Sequence, residues 1–160
     1  WLVATYRQSY GLFACTGILA NHESPLRSES FVVQKLIQGV KAIKEGRLSK
    51  ISLNNIDVWR DWGWAPDYVQ AMALMLQAEI PSDFIIASGQ TISLRQIVYK
   101  VFSIAGLDPE ESIEISDTIT RPNDIRYTSV SPALINSRLG WSSTRSIDEI
   151  LSKMFDDDLF

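Results

Sequence analysis

Residues Leu12-Phe13-Ala14-Cys15-Thr16-Gly17-Ile18-Leu19-Ala20 form a nearly continuous apolar run, and Asn21-His22-Glu23-Ser24-Pro25 follows it directly. Such a run predicts a strand buried on both faces of a parallel sheet. The polar groups and the backbone-fixing proline behind it then stand at the strand's C-terminal edge. Ligands of open α/β sheets bind outside such edges, so a first candidate site falls at residues 21–25.

Upstream, Trp1 to Tyr10 carries apolar residues at helical spacing, and Gly11 sits where a C-terminal cap glycine belongs. Trp1 is not a Met and already lies in that pattern, so the start reads as truncated. Downstream, Phe31, Val32, Leu36, Ile37, Val40 and Ile43 predict a helix from about Ser30 to Lys44, with Gly46 behind it. Ile51-Ser52-Leu53 alternates like a short strand and Asn54-Asn55 reads as a turn before the segment around Arg60. Pro66 suits a first helical turn, and the stripe Tyr68, Val69, Met72, Ala73, Leu76 extends to about Gln77. Phe84-Ile85-Ile86-Ala87 is another short apolar strand. Capping-box spacing at Ser93-Leu94-Arg95-Gln96 and at Ser146-Ile147-Asp148-Glu149 opens two more helices, the first closed by Gly106. Ser131-Pro132 starts a short helix ending near Gly140-Trp141. Elements alternate, with helices outnumbering strands.

Composition narrows the classes of function. With 160 residues, 46% hydrophobic and 21% charged, the chain suits one globular domain with a sizeable core. A net charge of −4 with scattered Lys and Arg offers no basic field, so no nucleic-acid partner is expected. No apolar run is long enough to cross a bilayer, so no membrane partner is expected either. The only cysteine, Cys15, lies inside the apolar run, which excludes an internal disulfide and predicts a buried thiol in a reducing cytoplasm. No metal site is expected. The acidic run Asp156-Asp157-Asp158 reads as a solvated tail.

The chemistry-bearing residues suggest binding more than catalysis. Neither a glycine-rich dinucleotide loop nor a Tyr-x-x-x-Lys pair is present, so no residue is assigned a catalytic role. His22 is the only histidine. Val32 and Lys35 lie one helical turn apart and can face one ligand while Leu36 and Val40 address the core. Arg60, in Arg60-Asp61-Trp62-Gly63, offers a planar donor fork suited to bidentate contact with pyrophosphate oxygens. Asp61 beside it either orients that arginine or pairs with it, and Asp67 is a first-turn carboxylate favoured by the helix dipole.

Three motifs in this order, Asn21-His22-Glu23-Ser24-Pro25, Arg60-Asp61-Trp62-Gly63 and Arg121-Pro122-Asn123-Asp124, resemble the C-terminal half of GDP-mannose 4,6-dehydratases, members of the extended short-chain dehydrogenase/reductase family. The resemblance runs from Trp1 to about Phe155. It implies an α/β fold: the C-terminal part of a Rossmann-like NAD(P)-binding fold plus the small α/β nucleotide-sugar-binding domain. Residues 1–160 would then be the C-terminal substrate-binding portion, without the N-terminal dinucleotide-binding part. The cofactor of the intact parent would be NADP, contacted by His22 and Arg27. The substrate would be GDP-mannose or a related nucleotide sugar, contacted by Asn21, Val32, Lys35, Arg60, Arg121 and Asp124. The intact parent would convert GDP-mannose to GDP-4-keto-6-deoxymannose, and as a homo-oligomer it would pair through the helix whose last turns open this chain, so the fragment's association would be weakened or altered.

Departures from the family pattern accompany the match. Leu26 stands where dehydratases commonly carry the first of two arginines, and Asp124 replaces the usual, longer Glu at the nucleotide's ribose. Trp64 and Pro66 replace a common His and Lys, marking a divergent branch or a varied surface. Two alternatives stay open: another nucleotide-sugar epimerase or reductase of the superfamily, or a nucleotide-sugar-binding module without catalysis.

Overall fold

The computed structural model describes residues 1–116 and 125–159. Fourteen elements alternate along the chain. In order they are α1 (Leu2–Tyr10), β1 (Thr16–Leu19), β2 (Asn21–Glu23), α2 (Val32–Lys44), β3 (Ile51–Leu53), β4 (Trp59–Trp64) and α3 (Ala65–Leu76), then β5 (Asp83–Ile86), β6 (Thr91–Ser93), α4 (Leu94–Ala105), α5 (Pro109–Ser112), β7 (Ile113–Ile115), α6 (Ala133–Leu139) and α7 (Ile147–Phe155). Strands equal helices among the described residues, against the helical excess read from the sequence.

Three small sheets organise these strands. β1 pairs with β5 in parallel, β3 pairs with β7 in parallel, and β4 is flanked by parallel β2 and antiparallel β6. This is an α/β fold whose parallel pairs are linked through helices. Val33, Leu36, Ile37 and Val40 of α2 pack with Ile97, Val98, Val101 and Phe102 of α4 and Ile150, Leu151 and Met154 of α7 in the larger core. Trp62 and Trp64 bring β4 into that core. A smaller core joins Tyr68, Ala71 and Met75 of α3 to Phe84 and Ile86 of β5, Ile135 of α6 and Trp141.

The helix ends follow the local chemistry of the sequence. Both capping boxes form: Ser93 and Ser146 accept from the backbone N–H groups of Gln96 and Glu149, whose side chains reach back. Gly11, Gly106 and Gly140 close α1, α4 and α6 in the left-handed conformation.

The opening apolar run behaves differently from its reading. Only Thr16–Leu19 is strand, and Ile18 is 54% exposed, so β1 is not buried on both faces. Helix α1 has no buried residue, and Leu12 and Phe13 are about half exposed. Cys15 is accordingly half-buried, its thiol donating to the Met75 carbonyl. The physical reason is coverage: α3 packs against one side of this strand pair, where the Met75 side chain approaches Gly17, while on the other Arg7 of α1 reaches Asp83 and Ile18 stays exposed. Residues 21–23, expected as loop, continue instead as β2 against β4.

Candidate functional site

The site is built on the ribbon β2–β4. Strand alternation sends successive side chains to opposite faces. Asn21 and Glu23 of β2 and Arg60 and Trp62 of β4 line a cavity of about 510 Å³ on one face. The N-terminal end of α2 contributes Phe31, Val32 and Lys35, and the end of β3 with the segment after it closes the cavity with Leu53, Asn54, Asn55 and Val58. Four of the residues expected to bind substrate, Asn21, Val32, Lys35 and Arg60, are thus brought together. Arg27, expected at the cofactor, lines the same cavity. Arg121 and Asp124 lie outside the described residues.

The opposite face of the ribbon is tightly packed. His22 lies 5.1 Å from the Tyr68 ring, centroid to centroid, and its Nδ1 is 3.0 Å from the Ala20 carbonyl. That carbonyl can only accept, so Nδ1 carries the proton. Gly63, the strand partner of His22, leaves room for Tyr68: a Cβ there would lie 2.4 Å from the ring. Asp61 neither orients nor pairs with Arg60. It is buried on this face, where its carboxylate accepts from the backbone N–H groups of Ser88 (2.9 Å) and Gly89 (2.7 Å) and ties β4 to the β5–β6 turn. Tyr68 is buried near Asp61 and its hydroxyl pKa is pushed far up, by desolvation first and by that carboxylate second.

Asp67 exceeds the dipole role read from sequence. Buried at the start of α3, it accepts from Thr144 N and Oγ1, both at 2.8 Å, and from Ser143 Oγ at 3.3 Å, while its carbonyl accepts from Trp141 Nε1. It fastens residues 141–144 to α3. Trp64 is 3% exposed and belongs to the larger core, so its replacement of the family's His is a packing change and not a varied surface.

Cations dominate the cavity wall. Lys35 Nζ donates to the Ser52 carbonyl at 2.9 Å, and Arg60 Nη1 donates to the Trp59 carbonyl at 2.7 Å and the Arg126 carbonyl at 3.4 Å. Arg27 stacks over Phe31, its guanidinium carbon 4.0 Å from the ring centroid, and donates from Nη1 to Glu23 Oε1 at 2.6 Å. Glu23 is 1% exposed, and burial pushes its pKa up to about 7 against the opposing pull of Arg27. Three cations and one buried acid make a wall suited to a ligand with two or more negative charges.

The sequence profile of the GDP-mannose 4,6 dehydratase family matches residues 1–154. The chain belongs to that family. It is 38% identical over 159 residues to GDP-mannose 4,6 dehydratase 1 of Arabidopsis thaliana, covering 99% of this chain and 44% of that protein. Identity to GDP-mannose 4,6 dehydratase of Dictyostelium discoideum is 37% over 176 residues, covering 99% of this chain and 49% of that one. The chain spans about half the length of the curated relatives it matches. Among solved structures, RMD from Pseudomonas aeruginosa complexed with NADPH superposes with a TM-score of 0.87 at 22% identity, covering 98% of this chain and 52% of that chain. The UDP-glucose 4-epimerase of Thermotoga maritima with UDP-glucose gives 0.81 at 19%, covering 98% and 49%. At those identities the likeness establishes the fold, a partial Rossmann-like α/β unit shared across these dehydratases and epimerases.

Sequence reasoning gave no individual role to Glu23, Phe31 or Trp62, which also line this cavity. The signal was available for two of them. Once Asn21 and Arg60 are candidates, residues two positions on, Glu23 and Trp62, share their face of the strand. What hid them was the reading of residues 21–25 as loop and the absence of any strand assignment for Trp59–Trp64.

Proposed function

We propose that this chain forms the nucleotide-sugar-binding portion of a GDP-mannose 4,6-dehydratase, the intact enzyme converting GDP-mannose to GDP-4-keto-6-deoxymannose. The observation that carries this reading is the convergence of Lys35 and Arg60 on one cavity with Asn21 and Val32, in a chain of that family. Lys35 and Arg60 would hold the diphosphate: Lys35 now donates to the Ser52 carbonyl, and exchanging that neutral acceptor for an anionic one strengthens the hydrogen bond, while Arg60 brings a planar donor fork to the same cavity. Asn21 offers both donor and acceptor to the ligand's polar groups, and Val32 supplies apolar contact. Arg121 and Asp124 belong to the same proposed site, on the diphosphate and the ribose.

NADP is the proposed cofactor of the intact enzyme, and it supplies the hydride acceptor and donor of the reaction. Of the residues here His22 suits contact with it: with Nδ1 held by the Ala20 carbonyl, Nε2 is the acceptor in the neutral ring. Arg27 was expected to join His22 at the cofactor, but its position on the cavity wall favours a phosphate of the nucleotide sugar instead. The thiol of Cys15 is free, which suits a cytoplasmic enzyme, and the uncovered apolar surface of α1 suits a homo-oligomer. No helix among the described residues is long and apolar enough to cross a membrane.

The test is calorimetric titration of this chain with GDP and GDP-mannose, repeated on Arg60→Ala. Saturable binding weakened by roughly 10-fold or more in the variant is expected, the worth of one charge-assisted hydrogen bond. Absence of saturable binding by the folded chain would count against the reading.

A further inference from the structure

We infer that Glu23 is a proton-linked positioning residue for Arg27: a phosphate-bearing ligand in the cavity draws the guanidinium away from the carboxylate, and Glu23 takes up a proton in exchange. This deepens the proposed function and rests on it.

The inference starts from an imbalance in hydrogen bonding. Glu23 Oε1 accepts from Arg27 Nη1, but Oε2 is buried and has no hydrogen-bond partner. An ionised carboxylate with one bare, buried oxygen is expensive, since neither water nor a donor compensates its charge. Arg27 is what offsets that cost. Its own position is fixed from three sides, by Glu23 Oε1, by the His22 carbonyl and by the Phe31 ring beneath it. The guanidinium keeps further N–H donors beyond the one nitrogen used in those bonds. It lines the same cavity as Lys35 and Arg60, so an anion bound between those two side chains competes with Glu23 for it.

Among the described residues, the charged neighbours of Glu23 within the cavity are Arg27 on its own loop, Lys35 on α2 and Arg60 on β4. Asp61 and His22 belong to the opposite face of the ribbon, against Tyr68. The carboxyl's pKa already stands near 7 because burial outweighs Arg27, so weakening the Arg27 contact moves it higher still. At pH 8 the carboxylate is mostly ionised before binding and protonated after it: the proton comes from solvent and Arg27 stays charged. Affinity for a diphosphate diester therefore falls as pH rises above neutrality, by at most about tenfold per pH unit for one linked proton.

The experiment measures proton uptake directly. This chain is titrated at pH 8 with GDP-mannose, whose doubly esterified diphosphate has no group titrating near neutrality, in buffers of different ionisation enthalpy. A parallel arm uses NADPH. Net uptake approaching one proton per GDP-mannose is expected for the unaltered chain, with none for Glu23→Gln, which keeps an acceptor for Arg27 but cannot ionise. Arg27→Met is expected to lose the uptake and to bind more weakly, both variants retaining their circular dichroism. Binding of GDP-mannose without proton uptake overturns the inference and leaves the proposed function standing. Uptake undiminished in Glu23→Gln, or uptake with NADPH alone, also overturns it. Failure of GDP-mannose to bind at all overturns both.

Discussion

The two faces of the β2–β4 ribbon are made from the same two short strands, yet they are built on opposite terms. Around the cavity Lys35 donates to the Ser52 carbonyl and Arg27 to the Glu23 carboxylate, arrangements that an anionic ligand can replace, and Arg60 lines the same wall. On the other face Asp61 is clamped by two backbone N–H groups, and Gly63 and Tyr68 are in such close contact that no Cβ fits between them. Adjacent residues in one motif thus do different work. Arg60 and Asp61 are neighbours in sequence, but one lines the cavity and the other holds the platform from which Arg60 projects.

The sharpest way to break this comparison is Asp61→Ala. It leaves the Ser88 and Gly89 N–H groups without their acceptor in a buried place, so a loss of about 3 kcal/mol of stability and a Tm lowered by roughly 10 °C are expected. Thermal denaturation followed by circular dichroism measures it. Arg60→Ala should do the reverse, losing ligand affinity with little change in Tm. If Asp61→Ala keeps its Tm and loses GDP affinity, the two faces are not divided as described.

The pH dependence of stability tests the cavity face. Glu23 has a folded-state pKa raised from its ordinary 4.5 to about 7, so between those values the folded chain binds more protons than the unfolded one. Stability supplied by the neutral acid is therefore fully present below pH 4.5 and is lost as pH rises through 7. For a group this deeply buried the loss is about 3 kcal/mol. Other groups titrate in the same range, so the measure is the difference in urea-unfolding free energy between the unaltered chain and Glu23→Gln, at pH 5 and pH 8. The variant should gain on the unaltered chain as pH rises. A difference independent of pH would mean that Arg27 keeps Glu23 ionised throughout.

How much of this was legible in the sequence follows from the range of each signal. Helix ends were readable because a cap is a matter of three or four residues: Ser93 with Gln96, Ser146 with Glu149, and Gly140 after Leu139 all act as their chemistry dictates. The strands of the site were not. Asn21–Glu23 is too short and polar to show alternation, and Trp59–Trp64 mixes three tryptophans with two charges. Each becomes a strand only through its partner some forty residues away, a pairing that no local window contains. The apolar run at Leu12–Ala20 misled for a related reason. Its hydrophobicity answers to a surface that the described residues cover only in part, leaving Ile18 54% exposed. Family resemblance supplied five of the cavity residues, Asn21, Arg27, Val32, Lys35 and Arg60, before any geometry was known, and alternation along β2 and β4 would have supplied Glu23 and Trp62.

Lys35→Ala offers the finest cut. Its ammonium is a compact, flexible charge bonded to the Ser52 carbonyl near the cavity rim, whereas Arg60 presents a planar fork from a strand fixed on its far side by Asp61. A positional charge on a flexible stem near solvent contributes less than a preorganised fork, so GDP affinity should fall only about threefold, a difference near the upper end for exposed charge pairs. The fall should shrink further as salt rises, because exposed charges are screened over about 10 Å at 0.1 M ionic strength. The Arg60→Ala deficit should persist under the same salt. If both deficits vanish together, the rigidity of the β4 platform adds nothing to recognition, and the clamped face of the ribbon serves stability alone.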